Sequence, residues 1–381
     1  VRLLDASDRA KEGLRVDYDV IVVGAGPSGS MAAKRCVEQG LRTLLLEKRR
    51  LPRDKVCSGM IMGPVAHALI KEEFGDLPNT LLTQPNHLSG YFFHVPGIGS
   101  EKLDHFTLLT WRKNLDYWMV QKAQASGVEV WEGALIVNIT QQAQGFSVVV
   151  KIDKKWKELL ARFVVGADGG NSAVRKVLFP NLKVRYAQVY QEHYRGEMDL
   201  DKNYFHWFYP PEHSPEFFDV HQKDGLMILD VGGKIGKMDK RLARTKDFLA
   251  RNYHFDSSRE PVWRGGCLQP VIYPELVSHA FKPARGNALL VGDAGGLVMP
   301  VSGEGIGTGM KSALLAANSI KMAIESGEPA DAIYLSEMKS IISMFGELYS
   351  CFRRIIDEAR NGGHALPKVL RDSYLRTLRT F

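Results

Sequence analysis

Three glycines spaced as Gly24-x-Gly26-x-x-Gly29, an acid at Glu47 and a thiol at Cys57 are the N-terminal residues best suited to chemistry. The glycine spacing suits a phosphate cradle. Gly24 permits a tight turn, Gly26 lets backbone approach a pyrophosphate, and Gly29 lets the following helix pack closely. Glu47 follows about twenty residues later, where a carboxylate bonds a pair of ribose hydroxyls. Arg53 and Lys55 flank Cys57, and neighbouring cations favour a thiolate, so this thiol is a candidate catalytic group. Cys36, Cys267 and Cys351 have no comparable setting. His206 and His221 are capable of acid–base steps, but histidines inside an aromatic sheet read first as satisfied core residues, and neither is selected.

These groups need elements to hold them. Asp19 to Val23 is a β-branched run of the kind buried on both faces of a parallel sheet. It leads into the glycine turn, and Ser30 to Gln39 then reads as a helix whose N-terminus points unpaired N–H groups at an anion. Gly40 ends that helix, and Thr43 to Leu46 is a second buried strand delivering Glu47. Strand, turn, helix, strand and acid in this order predict a dinucleotide-binding βαβ unit. Pro27, inside the turn, makes it GxGPxG, which looks like the flavoprotein version and points to FAD rather than NAD.

Two further strand–turn junctions follow. Phe163 to Gly169 runs into a glycine turn with Ser172 and Arg175 beyond it. Ala288 to Val291 leads into Gly292-Asp293-Ala294-Gly295-Gly296, then Pro300, then a glycine-rich helix start from Gly303 to Gly309 that opens a helix through Ala317. A carboxylate such as Asp293 at a strand end can hold a ribityl hydroxyl, and the helix start can present N–H groups to a flavin's pyrimidine edge.

The composition fits an ordinary globular protein: 45% hydrophobic and 24% charged over 381 residues, enough for two lobes sharing a core. The excess of 50 basic over 43 acidic residues suits anionic ligands or an anionic membrane surface. It is dispersed, and no nucleic-acid module accompanies it, so nucleic acid is not an expected partner. Four scattered cysteines without a CxxC pair argue against a disulfide framework or zinc site and for a reducing, cytoplasmic setting. The first fifteen residues do not read as a signal peptide, and no apolar run is long enough to span a membrane.

Together, GAGPSG, GADGxxSxVR and GDAGGLVxPxxGEGI resemble the FAD-dependent hydroxylase and reductase superfamily with the glutathione-reductase-like FAD fold. Within it the chain most resembles the geranylgeranyl reductase family. The family's aromatic strand motif is similar to Phe205 to Pro210, its cysteine loop to Lys55 to Gly59, and its GG-containing segment to Gly265 to Pro270. Two departures concern the substrate: Ser58 stands where a glycine is usual, and Phe205 and Tyr209 exchange aromatic types. The resemblance implies FAD contacts from Gly24, Gly26, Ser28, Gly29, Glu47, Lys48, Cys57, Ser58, Arg112, Ile136, Asp293, Pro300, Gly305 and Ile306. Arg112 opens a helix expected to run to Gly127.

The expected fold is α/β: a Rossmann-like FAD-binding domain with a parallel sheet, an inserted antiparallel substrate lobe and a C-terminal helical segment. The FAD part would comprise residues 1–85, 111–180 and 286–328, the substrate lobe 86–110 and 181–285, and the helices 329–381. In the lobe, Phe205, Trp207 and Tyr209 alternate with His206 and Phe208, so one face becomes an aromatic substrate-binding wall. Leu335, Met338, Ile342, Phe345, Leu348, Phe352 and Ile355 form one amphipathic face in the tail, whose basic residues allow peripheral membrane contact. The resemblance implies reduction of carbon–carbon double bonds in an apolar, isoprenoid-type substrate by hydride from flavin N5. An FAD monooxygenase, a hydroxylase before a halogenase, acting on an aromatic or bulky substrate is the alternative. A non-catalytic lipid-binding scaffold is a third. One phosphate cradle leaves no dedicated nicotinamide domain, so NADPH or ferredoxin would visit transiently as electron donor.

Overall fold

The computed structural model describes residues 16–210 and 216–380; the charged residues 1–15 lie outside them. Sheet A contains β1 (Tyr18–Val23), β2 (Thr43–Glu47), β6 (Glu129–Glu132), β7 (Leu135–Gln142), β8 (Gly145–Ile152), β9 (Lys155–Gly166), β15 (Ala284–Arg285) and β16 (Ala288–Leu290). Its main path runs β15-β16-β9-β1-β2-β6, parallel from β16 to β6, with β7 and β8 added antiparallel on β9. Val20, Ile21 and Val22 are wholly buried, as a strand covered on both faces requires. Each such side chain contributes about 1.5–3 kcal/mol of burial free energy.

Sheet B contains β3 (Met60–Ile61), β4 (Leu82–Val95), β5 (Gly99–Thr110), β10 (Arg185–Arg195), β11 (Tyr204–Phe208), β12 (Phe217–Lys223), β13 (Leu226–Lys234) and β14 (Trp263–Val271). The order is β14-β10-β13-β12-β11-β4-β5-β3. The pairing is antiparallel except between β11 and β4, which run parallel because the chain returns to β4 only after a long excursion through sheet A. Met60–Ile61, ahead of residue 86, also pairs in this sheet.

The helices are α1 (Pro27–Glu38), α2 (Gly63–Phe74), α3 (Arg112–Ala125), α4 (Ala173–Leu178), α5 (Met238–Tyr253), α6 (Tyr273–Val277), α7 (Ile306–Ser326), α8 (Ala330–Glu337), α9 (Lys339–Arg360) and α10 (Leu366–Thr380). Helix α1 starts at Pro27 rather than Ser30, since proline's fixed φ suits the first helical position. Helix α7 continues past Ala317 to Ser326, where Gly327, with φ of 77°, ends it. The amphipathic face expected from Leu335 to Ile355 is divided. Met338 closes α8 and opens α9, so the buried stripe of α9 becomes Ile341, Met344, Phe345, Leu348 and Ile355. None of the described helices is long and apolar enough to cross a membrane.

Candidate functional site

The three glycine motifs meet at one place. Gly24 has φ of 101°, and a Cβ there would lie 2.5 Å from the Ala167 carbonyl oxygen at the end of β9. A Cβ on Gly29 would lie 1.7 Å from the Gly24 oxygen, so the turn closes onto α1 only through glycine. Ser28 Oγ sits where a Cβ on Gly292 or Gly309 would come within 2.5 Å and 2.4 Å, which ties the first motif to the last. The middle motif is their clamp. Asp168 accepts from Ser172 Oγ and from the Ala173 and Val174 N–H groups, starting α4. The buried Arg175 then donates to the carbonyls of Gly170, Asp293 and Ala294.

Glu47 is buried at the end of β2, and its carboxylate accepts from Ala25 N–H at 3.1 Å, Arg49 N–H at 3.0 Å and Arg53 Nε at 3.1 Å. Arg53 also reaches Asp116 at 3.2 Å, and Asp116 receives both Arg112 Nε at 2.8 Å and Nη2 at 3.1 Å. Arg53 thus serves Glu47 and Asp116, whereas the sequence suggested it as a partner of Cys57. Arg112 and Lys223 are the cations that interact with Cys57. Burial works against the Arg112 charge, but Asp116 and Cys57 outweigh it and hold the guanidinium above its ordinary range. Cys57 is half-buried, and its sulfur accepts from Gly59 N–H at 3.4 Å.

At the other end, Asp293 Oδ1 would lie 3.1 Å from a Cβ on Gly305, directly before α7. Pro300 and Ile306 are buried and shape this loop. Glu304, which the sequence did not single out, accepts from Gly307 N–H at 2.6 Å, while its Oε2 has no partner among the described residues. Burial pushes its carboxyl up to about 7, although backbone donors pull the other way.

Sheet B presents one continuous face towards the cysteine loop. At one side lie Tyr91, Phe93, Phe205 and Trp207, with Met60, Met62 and the α10 residues Leu370 and Tyr374 packed on them. The Phe205 and Trp207 ring centroids are 5.0 Å apart, and those of Trp207 and the half-buried Tyr209 6.0 Å. The aromatic residues do form a row, but Phe205 and Trp207 are packed in a core beneath the C-terminal helix. In this structure they cover a helix rather than form the open wall expected from the sequence. Alternate residues of the next strand, Asp219, His221 and Lys223, are buried on the same face. Lys223 Nζ donates to the Ser58 carbonyl at 2.6 Å and lies 4.0 Å from the Trp111 ring centroid. Burial pushes its pKa down to about 8. The sequence reads His221 as a satisfied core residue, but among the described residues neither of its ring nitrogens has a hydrogen-bond partner. Asp219 and Lys223 were legible only as a period-two pattern beside the aromatic one. His206 points to the opposite face, where His94 bonds it at 3.0 Å.

These residues fit FAD. A Cβ on Gly26 would meet nothing nearer than Arg53 Nη2 at 3.9 Å, so the glycine leaves room that the fold itself does not fill. Helices α1 and α7 both start without a side-chain cap, leaving N–H groups for a pyrophosphate and for an electron-rich ring edge. Ile136 lies partly buried on β7, while Lys48 is exposed; neither touches the clamp described above.

Residues 17–335 match the family model described as FAD binding domain. The chain is 24% identical over 362 residues to digeranylgeranylglycerophospholipid reductase 3 of Methanosphaera stadtmanae, covering 91% of this chain and 87% of that one. Among solved structures, a geranylgeranyl bacteriochlorophyll reductase-like protein from Thermoplasma acidophilum superposes with a TM-score of 0.73 at 20% identity, covering 95% of both chains. A variant of the flavin-dependent brominase Bmp2 also superposes with a TM-score of 0.73, at 17% identity, over 95% of this chain and 94% of that one. These structural likenesses establish the fold.

Proposed function

Because the chain belongs to the FAD binding domain family, we propose that this flavoprotein oxidoreductase reduces carbon–carbon double bonds of an apolar, isoprenoid-type substrate. The observation that carries the reading is the buried row Tyr91, Phe93, Phe205 and Trp207, extended by Met60 and Met62, on the sheet face that adjoins the Cys57 loop. Leu370 and Tyr374 of α10 occupy this row in the structure, so a substrate would have to take their place. A chain of methyl-branched units would do so better than a polar ring. The reductase names of curated relatives support the same class.

When bound, FAD supplies hydride from flavin N5. This chain's residues bind and orient it. Gly24, Gly26, Ser28 and Gly29 with the start of α1 would cradle the pyrophosphate, and Glu47 would hold the ribose. Asp293 would hold the ribityl chain, and Gly305 and Ile306 would present α7 to the ring. Arg112 and Ser58, with Cys57, would line the ring's other side, and Cys57 is our candidate for a group facing substrate. Lys48, Pro300 and Ile136 would complete the cofactor's surroundings. Phe205, Trp207 and Tyr209 would guide the substrate chain and keep water from it. NADPH or ferredoxin would act as transient donor. Exposed Arg353, Arg354, Lys368, Arg376 and Arg379 on α9 and α10 provide a basic surface for peripheral contact with the membrane that carries such lipids.

The test against oxygen chemistry is rapid mixing of the anaerobically reduced, lipid-free protein and a phenol, as a probe aromatic substrate, with oxygenated buffer while absorbance is followed. Direct return to oxidised flavin is expected. A transient species preceding it, with a hydroxylated or halogenated product, would move the protein to the monooxygenases.

A further inference from the structure

The buried polar patch of sheet B has no place in cofactor binding as described above, and its geometry is unusual. Asp219 on β12 and Asp230 on β13 are direct cross-strand partners, 3% and 5% exposed. Two carboxylates side by side in a dry interior cannot both stay charged, because each charge raises the cost of the other. Gln191, the partner of Asp230 on β10, donates its amide to both Asp230 oxygens, at 2.9 and 3.0 Å. That engages both Asp230 oxygens as acceptors and leaves Asp219 as the protonated carboxyl of the pair. Among the described residues, Asp219 Oδ1 has no partner, and neither ring nitrogen of the buried His221, 3.9 Å away, has one.

The patch lies between the two halves of the candidate site. Trp207, in the aromatic row, is the cross-strand neighbour of Asp219 on one side. On the other, Lys223 of the same strand bonds the carbonyl of Ser58, next to Cys57. We propose that Asp219 and Asp230 hold one proton between them at the junction of the aromatic row and the cofactor loop, and that this is the proton delivered to the substrate. This rests on the reductase reading above. In the step, the Asp219 O–H bond breaks and a C–H bond forms at one alkene carbon, while hydride from the reduced flavin forms the C–H bond at the other. The alkene is reduced by two electrons, the flavin is oxidised by two, and the carboxylate regains its proton from solvent.

The surrounding groups agree. Burial, then Asp230, pushes the Asp219 carboxyl well above the usual carboxylate range, and burial raises Asp230 to about 6. The other titratable groups acting on the pair are Lys223 and His221 of β12, His193 of β10 through Gln191, Cys57 of the loop, Cys267 of β14, and Tyr209 beyond β11. Burial, then Lys223, depresses His221, which therefore stays neutral. Asp219, His221 and Asp230 place ligand atoms within 4.8 Å of one another, a spacing a divalent cation could also use. The Gln191 amide donors on both Asp230 oxygens and the nearby Lys223 ammonium disfavour a cation there and favour a proton.

The test is infrared spectroscopy of the oxidised holoenzyme at pH 8, grown with isotope-labelled aspartate, alongside single-turnover kinetics. A protonated-carboxyl band that moves with the label and with D2O, and that disappears in Asp219→Asn, is expected. Flavin reduction by dithionite should be unchanged in that variant, while reoxidation by a geranylgeranyl lipid slows roughly 10²–10⁴-fold, the usual worth of a general acid. Asp230→Asn gives a second variant should the first not fold, and it should weaken the band's pH dependence. No such band, or one surviving in both variants, overturns the shared proton whatever the turnover. A stoichiometric divalent metal in the purified protein overturns it too. The band lost with lipid reoxidation unchanged overturns delivery. A band that behaves as expected, in a wild-type protein that no lipid reoxidises, refutes the reductase reading and delivery with it, and leaves the proton store standing.

Discussion

At the scale of single residues, the glycines of the first turn have two distinct jobs, and substitution separates them. Gly29 is required by the fold, because a methyl group there would collide with the Gly24 carbonyl. Gly26 has an ordinary extended conformation with φ of −87°, and the space beside it is open. Gly29→Ala should lower the stability of the apoprotein by about 1–3 kcal/mol, read by thermal unfolding. Gly26→Val should leave apoprotein stability nearly unchanged and weaken FAD binding about tenfold or more, about 1.4 kcal/mol, read by titration with FAD. Equal effects of both on the apoprotein would contradict the cradle. The glycine spacing, Glu47 and Asp293 were all legible in the sequence, because a phosphate turn needs fixed residue types at fixed intervals. The Glu47–Arg53–Asp116–Arg112 chain was not, because it joins three elements whose side chains meet only after folding.

At the scale of elements, the start of α7 carries a built-in pH response. Burial raises the Glu304 carboxyl from the ordinary 4.5 to about 7, so the folded protein holds this proton more tightly than the unfolded chain. Its stabilising contribution is therefore full below about pH 4.5 and falls as pH rises through about 7. Glu304→Gln should remove that fall, making the variant more stable than the wild type at pH 8 by an amount on the order of 3 kcal/mol or less. Unfolding curves at pH 5 and pH 8 check it; a variant no more stable than the wild type at pH 8 would contradict it. Element types were well foreshadowed wherever the period was long and regular, as in β1, α1 and α7. The tail was misread as one amphipathic face because three- and four-residue spacing continues across Met338, and nothing in that spacing marks the break between α8 and α9.

At the scale of the whole molecule, two sheets are joined around the candidate site, and the C-terminal helix closes the apolar side of it. Tyr374 of α10 packs on Tyr91 with ring centroids 4.7 Å apart, on Phe93 at 5.2 Å and on Trp207 at 6.3 Å. Helix α10 is therefore part of the substrate lobe's core, a role sequence periodicity cannot assign, since it identifies an apolar face without naming its partner. Tyr374→Ala should cost about 3–5 kcal/mol of stability, read by denaturant unfolding, and expose the aromatic row to a hydrophobic dye. A loss under ~1 kcal/mol would mean the row is not held by this helix. The mixed architecture of two sheets and C-terminal helices is shared with a reductase-like protein and with a flavin-dependent brominase. Architecture alone does not choose between them; the reductase reading rests on the apolar row of sheet B and on the names of the curated relatives.

The central claim is that bound FAD passes reducing equivalents to an isoprenoid double bond. The direct measurement is a single turnover without oxygen: the reduced holoenzyme is mixed with a geranylgeranyl lipid, flavin absorbance is followed, and the lipid is then weighed by mass spectrometry. The account predicts that the flavin reoxidises in step with a lipid heavier by two hydrogens for each flavin. A flavin that stays reduced with unaltered lipid, yet turns over on an aromatic substrate only when oxygen is admitted, would contradict it.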